Sequence, residues 1–232
     1  MLYSLFAAWA RRPALPALVL AGLLSGCNLV AAPTPAPTIP LIPTLTDIPT
    51  SAPLPQPTQA STFGTILFLG DSITKGWNLT ALYSGAVNGG QINDTSADVL
   101  ARYLQSYAGT RFDAIVVQVG INDIASGVSD QTLRENLMLL MSTLQGAAGR
   151  VFIGSLLPVS DPRLMASAQP RVVELNGWLR DAAAGNGFGF VDYYSAMIDA
   201  DGQAVSAYFQ DGLHPSPAGY AAMANVLAAA LR

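Results

Sequence analysis

From about Phe63 onward, short continuous apolar runs alternate with stretches in which apolar residues return every three or four positions. The runs Thr65–Leu69 (TILFL), Ala114–Val119 (AIVVQV), Val151–Leu157 (VFIGSLL) and Phe188–Asp192 (FGFVD) read as buried strands, and Ala86–Asn88 (AVN) as a weaker one. Between them, Leu133, Leu137, Leu140, Met141 and Leu144 fall on one helical stripe, and so do Val172, Leu175 and Leu179 behind Pro170, which fits a first-turn proline. A last helix opens at Ser216 as cap and Pro217 as first residue, with Tyr220, Met223, Leu227 and Leu231 on one side. Alternating strands and helices predict a parallel sheet covered by helices on both faces. In such sheets ligands bind beyond the carboxyl ends of the strands.

The first 62 residues follow another pattern. Arg11 and Arg12 precede an apolar run, Pro13–Leu24, that is shorter than the ~20 residues a spanning helix requires. With small residues after it, residues 1–26 read as a secretion signal. Leu24–Cys27 (LSGC) resembles the bacterial lipobox, which implies a lipid on Cys27 as the first mature residue. From 27 to 62 proline and threonine dominate. Such a segment cannot bury a core, and it is expected to be a disordered, partly polyproline tether. About 30 such residues reach up to roughly 90 Å at ~3.1 Å each. The folded domain is then expected over 63–232, exported and lipid-anchored in a bacterial cell envelope. The anchor would lie on the outer side of the cytoplasmic membrane or at the outer membrane.

Composition narrows the chemistry. Only 11% of the 232 residues are charged, the net charge is −4 and Lys75 is the one lysine. That is no footprint for nucleic acid. One cysteine and one histidine, His214, cannot build a Cys/His zinc site, and neither a metal nor an organic cofactor is expected.

The polar residues that follow the strands carry the functional signal. Gly70-Asp71-Ser72 follows the first strand, Asn88–Asp94 (NGGQIND) the second and Gly120–Asp123 (GIND) the third. Asp211–Ser216 (DGLHPS) lies between the fifth strand and the last helix. A serine hydroxyl needs a base to become a nucleophile, and histidine is the natural one. An acid at the other ring nitrogen fixes the tautomer, and Asp211 stands three residues before His214. The backbone N–H groups of Ser72 and Gly90 and the side-chain amide of Asn122 are candidate oxyanion donors. Asp71 and Asp123 read as residues that hold their own loops, and Trp77 and Tyr83 as packing residues.

These four blocks, GDSIT at 70–74, NGG at 88–90, GIND at 120–123 and DGLH at 211–214, resemble the SGNH hydrolases, or GDSL-type esterases and lipases, in order and over the whole folded domain. The resemblance implies a flavodoxin-like three-layer α/β/α sandwich with a five-stranded parallel sheet. It implies Ser72 as nucleophile, His214 as base, Asp211 as orienting acid, and Ser72, Gly90 and Asn122 as the oxyanion hole. One position departs from the family pattern: Asn93 stands where a second glycine is usual, and asparagine tolerates the left-handed backbone. The implied activity is serine-dependent ester hydrolysis through an acyl-enzyme, on short acyl esters of envelope or extracellular glycans or on lipids. A lysophospholipase or thioesterase, and a non-catalytic glycan- or lipid-binding module, are the alternatives. The oligomeric state is not legible.

Overall fold

The computed structural model describes residues 63–232. The expected signal, Cys27 and the tether lie outside the described residues. In chain order the elements are β1 (Ile66–Gly70), α1 (Ser72–Gly76), β2 (Ala86–Gly90), α2 (Ser96–Ser106), β3 (Phe112–Gln118), α3 (Ile121–Ala125), α4 (Asp130–Leu144), β4 (Ala148–Gly154), α5 (Met165–Gly185), β5 (Gly189–Val191), α6 (Tyr193–Ala196) and α7 (Pro217–Ala230). The five strands are all parallel, in the order β2-β1-β3-β4-β5. Helices α2, α4 and α5 pack along one face, with α6 and α7 together on the other. This is the flavodoxin-like α/β/α sandwich.

The order places the functional loops. β1 is central, with Gly70 paired to Gly90 on one side and to Gln118 on the other. The chain crosses outward from β1 to β2 and then returns past β1 to β3. The turns after β1 and β3 therefore flank the point where strand order reverses, the usual crevice of such a sheet. Beneath it the middle of the sheet is apolar: Ile66, Leu67, Phe68 and Leu69 of β1 and Ala114, Ile115, Val116 and Val117 of β3 are all buried.

Two boundaries differ from the sequence pattern. β4 ends at Gly154, although Leu156 and Leu157 are buried and apolar. There the chain leaves the sheet, and the Asn176 side chain takes up the Leu156 backbone, accepting its N–H at 2.7 Å and donating to its carbonyl at 3.0 Å. Helix α5 begins five residues before Pro170, so this proline lies inside the helix rather than in its first turn. The start is set by Asp161, whose carbonyl accepts from Leu164 and Met165. Pro170 then removes only one helical hydrogen bond. The α4 stripe and the Ser216–Pro217 start of α7 are as the pattern predicts, with Ser216 accepting from Gly219.

Candidate active site

Ser72 owes its position to Asp71. β1 stops at Gly70, and the Asp71 carboxylate, 1% exposed, accepts the Ile73 N–H at 2.9 Å and so opens α1. Ser72 is the first helical residue, so its own N–H has no partner within the helix. Burial pushes the Asp71 carboxyl up to about 6, against the Ile73 N–H and the nearby His214, with Asp123 adding to the rise.

His214 arrives from a distant part of the chain. Its Nε2 lies 3.0 Å from Ser72 Oγ, across 142 residues of sequence, and its Nδ1 lies 2.7 Å from Asp211 Oδ2. Burial alone would raise the Asp211 carboxyl. The His214 backbone N–H and ring and the Leu213 N–H outweigh it and bring the group down to about 2. An ionised carboxylate can only accept, so the ring proton sits on Nδ1. Nε2 is then a bare acceptor, and the Ser72 hydroxyl donates to it.

The Asp211–His214 loop is tight and braced from behind. Gln210 donates to the His214 carbonyl at 2.9 Å, and a bridge joins Phe209 to Pro215. Gly212 has φ +83°, and its carbonyl accepts from the Ser160 and Asp161 N–H groups at 2.9 and 3.2 Å. A Cβ there would fall 2.5 Å from the Asp161 nitrogen, so both backbone angle and space require glycine. Tyr220 of α7 stacks on Trp77 at 5.7 Å and donates to the Ile73 carbonyl at 2.8 Å, which ties the helix after His214 to the helix that carries Ser72.

Asn122 is the second residue of α3, just after the turn that ends β3. Its Nδ2 donates to the Asp94 carbonyl at 2.9 Å, which leaves the second amide hydrogen for a ligand. The neighbouring Asp123 is fully buried and accepts from Ser96 twice, from N–H at 2.8 Å and from Oγ at 2.6 Å. Arg102 of α2 forms an ion pair with the Asp94 carboxylate, and its Nη2 donates to the Gly70 carbonyl at 3.0 Å. These pairings were not legible in the residue pattern. Arg102, Asp94 and Ser96 look like ordinary polar residues of a helix and its cap, and only their long-range bonds single them out.

Gly90, an expected oxyanion donor, sits at the end of β2 beside Asn88. Its N–H donates to Asn88 Oδ1 at 2.9 Å, and the Asn88 amide in turn donates to the Thr74 carbonyl at 2.8 Å and that of Trp77 at 3.2 Å. Gly90 is glycine for packing: a Cβ would lie 2.3 Å from the Lys75 nitrogen, in the backbone of α1. Asn93, with φ 65°, is the only described non-glycine residue in the left-handed region, so it takes up the conformation for which the family pattern uses glycine. Trp77 and Tyr83 are packing residues: Trp77 is 6% exposed, and Tyr83 stacks on Phe68.

Comparison with known proteins gives the family. The GDSL-like Lipase/Acylhydrolase family model matches residues 68–222, more than half of the chain. The chain belongs to this family. It is an ester-bond hydrolase with the SGNH architecture. No curated protein matches it. Among solved structures, a candidate acylhydrolase from Bacteroides fragilis superposes with a TM-score of 0.65 at 26% identity, covering 77% of this chain and 90% of that one. A GDSL-like lipase from Bacteroides thetaiotaomicron gives 0.64 at 24% identity, over 72% and 87%. An acetyl xylan esterase from Geobacillus stearothermophilus gives 0.61 at 18% identity, over 74% and 95%. The last two share its fold.

Proposed function

We propose that this GDSL hydrolase cleaves carboxylic esters through a covalent acyl-enzyme on Ser72. The observation that carries the reading is the unbroken relay from Ser72 Oγ through the His214 ring to the Asp211 carboxylate, at 3.0 and 2.7 Å. Ser72 Oγ attacks the ester carbonyl while its proton passes to Nε2, and Asp211 holds the imidazolium that forms. The carbonyl oxygen becomes an oxyanion, which meets the Ser72 N–H and the free amide hydrogen of Asn122. Collapse expels the alcohol, which takes the proton from Nε2. A water then gives a proton to Nε2 as it attacks the acyl carbon; the bond to Ser72 Oγ breaks, Oγ takes that proton back from Nε2, and the acid is released. The Gly90 N–H, which bonds Asn88 Oδ1 at 2.9 Å, joins the Ser72 and Asn122 groups as a third oxyanion donor where it turns from that bond to the substrate.

The substrate follows from place. If the first 26 residues are a lipoprotein signal, Cys27 a lipid attachment point and 27–62 a tether, the domain works in the bacterial cell envelope, held to a membrane. Its esters are then short acyl groups on envelope or extracellular glycans, or on lipids. Lipidation is tested by Cys27→Ser, which should move the protein from the membrane to the soluble fraction.

The catalytic reading is tested on p-nitrophenyl esters from acetate to palmitate, followed by acetylated glycans. A fluorophosphonate should add its mass at Ser72. Ser72→Ala should lose on the order of 10⁶ in kcat, with an unchanged melting temperature. Activity within tenfold of wild type would remove Ser72 from the mechanism.

A further inference from the structure

Arg102 lies outside the reacting groups, yet its guanidinium reaches two of the turns that carry them. Nη2 holds the Gly70 carbonyl at 3.0 Å, two residues before the nucleophile. Nη1 pairs with the Asp94 carboxylate, and the carbonyl of that same Asp94 accepts the Asn122 amide at 2.9 Å. The pair is shielded, with side chains 20% and 14% exposed. A side chain that only capped a helix or solvated a surface would not tie the end of β1 to the loop after β2 in this way.

We infer that Arg102 is a positioning residue for ester hydrolysis: it fixes Asp94 against the end of β1 and so aims the Asn122 amide at the carbonyl oxygen over Ser72. The inference rests on the oxyanion role of Asn122 proposed above. The geometry of guanidinium matters here, because one planar fork must serve a carbonyl and a carboxylate at once. Lysine keeps the charge but offers a single ammonium and cannot hold both. The effect is bounded, because Ser96 and the buried Asp123 also tie this loop to α3. Loss of Arg102 therefore loosens the Asn122 amide without removing it.

The test is kinetic, on the whole protein with a p-nitrophenyl ester for which acylation is rate-limiting. Arg102→Lys should lower kcat about 10- to 100-fold, as expected for a misaimed donor, with KM within about twofold. Asp94→Asn keeps the carbonyl and loses the ion pair, so it should give a similar loss. The deciding measurement is a double-mutant cycle. In an Asn122→Ala background, Arg102→Lys should cost less than about threefold, because the group it aims is gone. An equal loss in both backgrounds, or a loss confined to KM, overturns the inference while leaving Asn122 in its role. If Arg102→Lys does not fold, Asp94→Asn carries the same cycle. If Asn122→Ala alone leaves kcat unchanged, the oxyanion role fails, and this inference fails with it.

Discussion

Ser72 and Asn122 stand at helix starts held from the protein interior, whereas Asp211 is exposed and its carboxylate is held by bonds within its own loop. Behind Ser72 lies the buried Asp71, and behind Asn122 lie the buried Asp123, with Arg102 and Asp94, in bonds that span 27 to 32 residues. Asp211 is instead 53% exposed at its side chain, and it accepts from Leu213 and His214 within three residues. The difference has a physical reason. An oxyanion donor must already point at a charge that exists only in the transition state, so its direction is fixed by rigid neighbours. A base that carries protons to and from departing groups needs solvent access, and a short loop suffices to hold the ring tautomer. The two halves meet at the Ser72–His214 bond, helped by Tyr220 reaching from α7 to the Ile73 carbonyl.

Three substitutions break or sharpen this contrast. Asp211→Asn should cost most, on the order of 10³–10⁴ in kcat, because the amide favours the wrong ring tautomer while the loop keeps its shape. The check is kcat beside a circular dichroism spectrum, and a loss below tenfold would mean that local backbone bonds alone orient the ring. Asn122→Ala should lower kcat by about 10²–10³ with little change in KM, since the donor acts on the developing oxyanion. A pure KM effect would show that Asn122 binds the ground state.

The smallest effect concerns the two acids and has opposite signs in the two halves. Asp211 is depressed from 3.8 to about 2, so its contribution to stability is present above 3.8 and is lost as pH falls toward 2. Asp71 is raised from 3.8 to about 6, so its contribution is present below 3.8 and is lost as pH rises through 6. Asp71→Asn keeps an acceptor for Ile73 and removes the titration. Urea midpoints from pH 4 to 7 should show wild type losing stability relative to this variant as pH rises. Parallel curves would show that Asp71 does not titrate there. The same variant sharpens kinetics: an acid limb in kcat/KM that belongs to Asp71 should be absent from Asp71→Asn.

Much of this was legible in the sequence because its signals are local. The apolar runs marked all five strands, since strands of a parallel sheet are buried on both faces. The Ser216–Pro217 start of α7 followed from capping chemistry within four residues. The end of β4 was not legible, because it depends on Asn176 reaching across from α5. Pro170 misled for a related reason: proline favours a first turn, but Asp161 had already started the helix.

By itself the sequence determined the α/β alternation, the family and the residues Ser72, Asn122, Asp211 and His214, since each of these is written in residue type, period or order. Tertiary structure alone decided which partner each hydrogen meets. The Gly90 N–H bonds Asn88 because Asn88, two residues earlier on an edge strand, turns its side chain back along the chain beneath α1. Arg102 reaches Gly70 and Asp94 because folding sets α2 against β1. A donor's availability depends on every neighbour in space, and chain order does not encode those neighbours until the sheet has fixed its register.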